Sequence, residues 1–465
     1  MSEEVKEACG VIGFYNNDHW NLPKDLYYGI FALQHRGQES CGMAVCKNGV
    51  VSHHKDMGLA NEVFSHDIIE KLQGDIGIAH CRYSTTGDSE KSNAQPLVMS
   101  FVKGTLSLAH NGNLVDAAKL RQKLMAEQGA IFHTSLDSEI FAYLIAREEV
   151  GDHLLESAVR RASQMVAGSY ALLVMSPEKL VGIRDPLGIK PLCLGMKGKS
   201  YILASESCAI DAIGGVFIRD IAPGELIVID KDGVHSHPYA GELATPRPCI
   251  FEYIYFARPD SILDGQSIYL SRHIAGKVLA QRYPVEADVV IAVPDSGIDA
   301  AIGYSEESGI PYGVGLIKNR YIGRTFIQPV QVQREEAVRI KLNALKHTVD
   351  GKRVVLVDDS MVRGTTSASI IKMLKKAGAK EVHMRISAPP FVWPCFYGID
   401  LPEKKQLTAC NHTIEEIRQM LDADSLGFFK VEDLTKIVPD CHLQGYCDAC
   451  FSGDYPVPVT IEEDD

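Results

Sequence analysis

No apolar run in the 465-residue sequence is long enough to span a bilayer. The first ten residues, MSEEVKEACG, carry charge where a secretory signal needs an apolar stretch. Both absences predict a cytoplasmic chain with no membrane partner. Excess positive charge is also missing: 47 Lys and Arg stand against 60 Asp and Glu, a net charge of −13. Nucleic acid is therefore not expected as a partner, and an anionic substrate has to be gathered by local cations. There is no internal repeat, no low-complexity block and no G-x-x-x-x-G-K-[ST] nucleotide loop. The acidic end, IEEDD, reads as a solvated tail.

What remains is an ordinary globular composition, 46% hydrophobic and 23% charged, in a length that suits two or three domains. Twelve cysteines in such a chain argue for free thiols and a metal or cluster site rather than disulfides. The first half, to about Tyr239, is rich in short apolar runs such as LSLA (106–109) and ALLVM (171–175), with helical patterns near 114–128, 136–150 and 152–166. From about Pro248 strands and helices alternate: 288–293 strand, 299–307 helix, 354–357 strand, 367–378 helix. That alternation predicts a parallel sheet. HSHPYAGELATPRP (235–248) reads as a linker between the halves.

The stretch VVLVDDSMVRGTTSAS (354–369) combines a buried strand, an acidic pair and a hydroxyl-rich turn into a helix. Gly364 permits close backbone approach, and Thr365, Thr366 and Ser367 place donors at a helix start, an anion site. Asp358 and Asp359 would repel an anion unless they hold a sugar's vicinal hydroxyls or a magnesium ion. The stretch resembles the phosphoribosylpyrophosphate (PRPP) loop of type I phosphoribosyltransferases. That resemblance implies PRPP contacts from Asp358, Asp359, Ser360, Arg363, Gly364, Thr365, Thr366 and Ser367.

The front half carries ACGVIGF (8–14), LQHRGQES (33–40), HCRYSTTG (80–87), HNGNLV (110–115), TSLDSE (134–139) and RDPLGIKPL (184–192). Taken alone, Cys9 reads as a small buried hydrophobe. In that company the half resembles the class II glutamine amidotransferases. The resemblance implies that Cys9 is the nucleophile and, after removal of a leader 1–8, the chain's first residue. Its own α-amine, with a pKa of roughly 8, would then be the base. Asn111 and the Gly112 N–H would form the oxyanion hole. Arg82, assisted by Thr85, would bind the glutamine carboxylate and Asp137 its α-ammonium.

Joined, the halves resemble the glutamine PRPP amidotransferase family, with CIFEYIYFARPDS (249–261) and KNRYIGRTFI (318–327) as further specific segments. The resemblance implies an α+β N-terminal-nucleophile hydrolase sandwich (αββα) over 9–239. An α/β type I phosphoribosyltransferase domain with a mainly parallel sheet would follow over 249–465, ending in a cluster-binding arm. The implied reaction is glutamine, PRPP and water giving 5-phosphoribosylamine, glutamate and pyrophosphate, the opening step of purine synthesis. Lys318, Arg320 and Arg324 would meet the departing pyrophosphate from a loop that closes over PRPP, with Arg339, Lys341 and Asn343 as weaker candidates. Mg2+ would be held by Ser296, Asp358 and Asp359. Feedback inhibition by purine nucleotides and a homotetramer come with the family.

GYCDACFSG (445–453) contains a CxxC, which alone is ambiguous between redox, zinc and cluster roles. By resemblance, Cys249, Cys395, Cys447 and Cys450 would hold a structural 4Fe-4S cluster. Spacing does not separate this from zinc, and Cys441 is a rival to Cys447. Cys41, Cys46, Cys81, Cys193, Cys208 and Cys410 read as packing residues. Two competing functions are a PRPP-sensing regulator and a different class II amidotransferase. The acidic balance and the intact front-half set weigh against the first, and the DDSMVRGTTS turn against the second.

Overall fold

A computed structural model describes residues 9–83, 89–151, 154–239, 245–319, 341–401 and 403–459. In the front half two antiparallel sheets lie face to face. The seven-stranded sheet runs Val216–Asp220, Cys193–Lys197, Ser200–Ala204, Gly10–Tyr15, Ile76–Arg82, Ser40–Lys47, Val50–Met57. The six-stranded sheet runs Gly233–Pro238, Glu225–Asp230, Leu180–Arg184, Gly168–Met175, Gly104–Leu114, Leu97–Phe101.

Side chains alternate across each strand, so each sheet feeds two cores. Val11, Ala44, Ala109 and Leu173 fill the space between the sheets. Ile12, Phe14 and Met43 point out, against helices Leu22–Ala32 and Ser207–Ala212. Leu108, Leu172 and Val181 point out on the far side, under Ser138–Val150 and Leu155–Ser163. The result is the expected αββα sandwich.

The rear half has a four-stranded parallel sheet in the order Val289–Ala292, Arg353–Asp358, Glu381–Ile386, Ser425–Phe428. Its central strands are apolar on both faces because helices cover both, as the unbroken run VVLV requires. Two local expectations change. Strand Gly233–Pro238 pairs with Glu225–Asp230, so the reading of 235–248 as a linker is too long at its start. This is an edge strand, which tolerates His and Ser where a central strand does not. The helix after the acidic pair begins at Thr365 rather than Ser367, because Gly364, at φ +79°, makes the turn in one residue.

The halves are fastened by buried charge. Arg36 is fully buried and donates to Glu206 of its own half and, at 2.6 and 3.0 Å, to Glu252 of the rear half. Arg184 grips Asp264 at 2.6 and 2.9 Å. Both pairs are bidentate and stripped of water, and Arg36 keeps Glu206 as a second carboxylate in its own half.

Candidate active site

Cys9 lies just before strand Gly10–Tyr15, at the edge of the inter-sheet core, and is buried. Its Sγ sits 3.5 Å from the Tyr83 carbonyl, and its own carbonyl accepts from Arg36 Nε at 3.1 Å. Burial raises the thiol's pKa. The Tyr83 contact and the nearby Arg82 and Lys190 charges pull the other way without reversing the shift, and Asp137 adds to it. A thiol held protonated in this way needs a base to become a nucleophile.

Asn111 stands on strand Gly104–Leu114, two residues from the inter-sheet Ala109, and so faces the same interior as Cys9. It is wholly buried, and among the described residues neither atom of its amide has a hydrogen-bond partner. An orphaned buried amide costs about 1–3 kcal/mol and marks a place where a ligand completes the bonding. Gly112 has φ +147°, and a Cβ there would lie 2.1 Å from the Ser169 carbonyl oxygen. Only glycine can hold that backbone.

Arg82 ends strand Ile76–Arg82, is 2% exposed, and has Glu39 3.9 Å away. Asp137, just before helix Ser138–Val150, accepts from the Leu114 N–H at 2.8 Å. Burial opposes its ionisation, but nearby His110 and backbone N–H groups hold the carboxyl below its ordinary pKa. The structure therefore places the cations Arg82 and Lys190 and the anion Asp137 near the sulfur. Thr85 lies outside the described residues.

Three side chains without assigned roles also converge here. His110 Nδ1 is 2.9 Å from Ser138 Oγ and 3.6 Å from Asp137. Arg36 and Lys190 sit inside the quoted motifs LQHRGQES and RDPLGIKPL. Their place inside these motifs is the signal in the sequence, but the partners of Arg36 and Lys190 are far away in sequence.

In the rear half, Asp358 and Asp359 are both buried at the carboxyl end of the central strand. Ser296 and Ser360 hydroxyls each donate to Asp359, and the Asp359 N–H bonds to Asp358 Oδ1 at 2.9 Å. The helix Thr365–Lys376 starts directly beyond, with Ser367 buried in its first turn. Arg363 donates to Gln406, away from the acidic pair. Lys318 pairs with Asp295, next to Ser296, at 2.7 Å. Lys341 precedes, and Asn343 lies within, a short ribbon in which Ile317 pairs with Asn343. Arg320, Arg324 and Arg339 lie outside the described residues.

Cys249, Cys395, Cys447 and Cys450 line one small cavity with Ile189, Tyr397 and Ile399. Burial pushes Cys249 up to about 12 and raises the other three, so four thiolates here require a cation. Cys441 is not on that wall; its sulfur lies 3.8 Å from the Tyr253 hydroxyl. All twelve cysteines are free thiols, and Cys41, Cys46, Cys81, Cys193 and Cys208 are buried. Cys410 is half-buried against the Val392 carbonyl at 3.1 Å.

Residues 80–212 match a glutamine amidotransferase domain and residues 260–388 a phosphoribosyl transferase domain. The amidophosphoribosyltransferase of Archaeoglobus fulgidus is 50% identical over 98% of this chain and 99% of its own. That of Bacillus subtilis is 47% identical over 99% and 97%. The solved B. subtilis glutamine PRPP amidotransferase, complexed with ADP and GMP, superposes with a TM-score of 0.90 at 46% identity, covering 97% of this chain and 98% of that one. With such likeness end to end, in an αββα sandwich joined to a parallel-sheet domain, the chain belongs to the amidophosphoribosyltransferase family.

Proposed function

We propose that the protein takes ammonia from glutamine at Cys9 and delivers it to PRPP at the Asp358–Asp359 loop, giving 5-phospho-β-D-ribosylamine, glutamate and pyrophosphate. The observation that carries the front-half roles is the fully buried Asn111 amide, without a hydrogen-bond partner among the described residues, facing the same inter-sheet interior as a buried thiol. On this reading residues 1–8 are removed. The freed α-amine of Cys9 takes the thiol proton, and the sulfur attacks the glutamine side-chain amide. Arg82, with Thr85, holds the substrate carboxylate and Asp137 its α-ammonium. The developing oxyanion meets Asn111 Nδ2 and the Gly112 N–H, bonds unavailable to the empty site. Ammonia leaves, and water hydrolyses the thioester to glutamate.

At the second site the helix start at Thr365, Thr366 and Ser367, preceded by Gly364, receives the 5-phosphate, with Ser360 and Arg363 on its approach. Asp358 and Asp359 hold the ribose hydroxyls. Ammonia attacks the anomeric carbon as pyrophosphate departs toward Lys318, Arg320 and Arg324. Ser296, Asp358 and Asp359 form an all-oxygen set that suits Mg2+, which would neutralise the pyrophosphate. The domain limits are 9–239 for the glutaminase and 249–465 for the transferase.

The cysteine cavity suits a 4Fe-4S cluster better than zinc. Sulfurs around one tetrahedral zinc lie about 3.8 Å apart, given Zn–S bonds of about 2.3 Å. Among the described residues, no three of these four sulfurs lie within 4.8 Å of one another. A wider group fits, and its role would be structural, holding the arm that carries Cys447 and Cys450. Iron and sulfide analysis with UV-visible spectra of anaerobically purified protein tests it; zinc without sulfide would defeat it.

A homotetramer in the cytoplasm, inhibited by purine nucleotides, completes the reading. The relative that binds ADP and GMP supports the inhibitor class. Among the described residues no helix is long and apolar enough to cross a membrane. PRPP-dependent glutamate release, with phosphoribosylamine trapped, tests the whole; glutamate release indifferent to PRPP and no trapped amine would sink it. Intact mass tests the leader, since an active chain retaining Met1 contradicts the free-amine base.

A further inference from the structure

The loop that carries Cys395 runs on across the domain junction and onto the strand of the oxyanion hole. Three successive carbonyls make the contact. Phe396 C=O accepts from Asn113 Nδ2 at 2.9 Å, Tyr397 C=O accepts from Ser169 Oγ at 2.8 Å, and Gly398 C=O lies 3.4 Å from Lys190 Nζ. Ser169, Lys190 and Tyr397 are buried, so water does not compete for the second and third of these bonds.

The link reaches back to the sulfur. The Tyr397 N–H donates to Cys395 Sγ at 3.3 Å, and Ser169 Oγ, which donates to Tyr397, also accepts from the Asn113 N–H at 3.3 Å. One chain of hydrogen bonds therefore joins a thiol of the four-cysteine cavity to the residue after Gly112. The packing is equally close: Gly398 has φ +94°, and a Cβ there would stand 3.3 Å from the Gly112 carbonyl carbon. The Cys249 segment makes the second seam, its N–H bonding the Ile189 carbonyl at 3.2 Å, one residue before Lys190.

We propose that the 395–398 loop is a brace for the oxyanion hole, with Asn113 and Ser169 as positioning residues, so that filling the four-cysteine site sets the Gly112 N–H. The inference rests on the reading of Cys9 as nucleophile and of Asn111 and Gly112 as the oxyanion hole. It adds a reason for a reaction without a redox step to depend on a metal group. The group need not touch substrate, because it fixes the loop on which the Gly112 backbone leans. Amide N–H donors act only within a few tenths of an ångström of their working position.

The test uses the full chain and an aldehyde analogue of glutamine. Cys9 sulfur adds to its carbonyl carbon, one C=O bond opens, and the thiol proton passes to the oxygen, which then occupies the oxyanion hole. Asn113→Ala and Ser169→Ala, each checked for unchanged iron and sulfide content and melting temperature, should bind the aldehyde about tenfold more weakly, a fraction of the cost of deleting a donor outright. Glutamine affinity on a Cys9→Ala background should change less than about twofold, because carboxylate and ammonium contacts are untouched. Chelated full-length protein should lose aldehyde affinity as well, with faster amide exchange at 111–113 in step with 396–398. Aldehyde affinity equal in variants, chelated and unaltered protein would overturn the brace while leaving Cys9 in place. Failure of the unaltered protein to bind the aldehyde would overturn the Cys9 reading and the brace with it.

Discussion

The two sites of this molecule solve opposite problems. Around Cys9 the side chains of Arg82, Asn111 and Asp137 are buried, and among the described residues the Asn111 amide has no hydrogen-bond partner, so the proposed site is built in advance. Around Asp358 the acidic pair holds two serine hydroxyls at Asp359 and a backbone N–H at Asp358, and Lys318 is half exposed and paired with the exposed Asp295. The difference follows from the chemistry. A neutral amide is cleaved by fixed dipoles in a dry cavity, where each is worth most. A polyphosphate arrives with its own charge and countercation, and needs a loop that can exchange serine contacts for sugar and metal ones.

That contrast can be broken from either side. The largest effect belongs to Cys9→Ala, which should reduce glutamine-dependent turnover to background while turnover with high ammonia persists; loss of both would reduce Cys9 to a structural role. Asp358→Ala with Asp359→Ala should do the reverse, ending PRPP turnover while basal glutamate release continues. Asn111→Leu sharpens the difference. It should cost about 10²–10³ in glutamine-dependent kcat, yet raise stability in denaturant by about 1 kcal/mol, because an unsatisfied amide is replaced by an apolar group of similar volume. An enzyme that is both inactive and less stable would mean that the amide is bonded in the native protein.

Next comes Glu252→Ala, one contact removed from Cys9 through Arg36, which should cost about 1.5–3 kcal/mol, because Arg36 loses two charged hydrogen bonds but keeps Glu206. A melting curve measures it. The smallest effect is a pH slope. Burial holds His80 at about 3 against an ordinary value of 6.5. Its neutral form therefore stabilises the fold fully above pH 6.5, and that contribution is lost as pH falls from 6.5 toward 3, where the unfolded chain takes up a proton that the native one refuses. His80→Asn should flatten the fall in stability by up to about 1.4 kcal/mol per pH unit. An unchanged slope would mean that His80 is charged in the core.

Much of this was legible in the sequence because its signals are local. Four β-branched or apolar residues before an acidic pair mark a strand end, and Gly364 before three hydroxyl residues marks a helix start. Cys9, Arg82, Asn111 and Asp137 each sit in a short motif. The bonds that join the halves are not local. Arg36 meets Glu252 across 216 positions and Asn113 meets Phe396 across 283, and no periodicity encodes such pairs. The first residue of a helix was misjudged for the opposite reason: Gly364 alone determines it, and hydroxyl residues suit either a turn or a first helical turn.

The double grip on Arg36 has a bearing on how such proteins can be recombined. A front half taken from a relative and grafted here would bring its own residues at positions 36 and 206 but not the rear-half carboxylate shaped to meet them, and the recipient's Glu252 would face whatever the donor supplied. Modular exchange would therefore succeed only when both members of that pair travel together, so this two-part catalyst behaves as one heritable block.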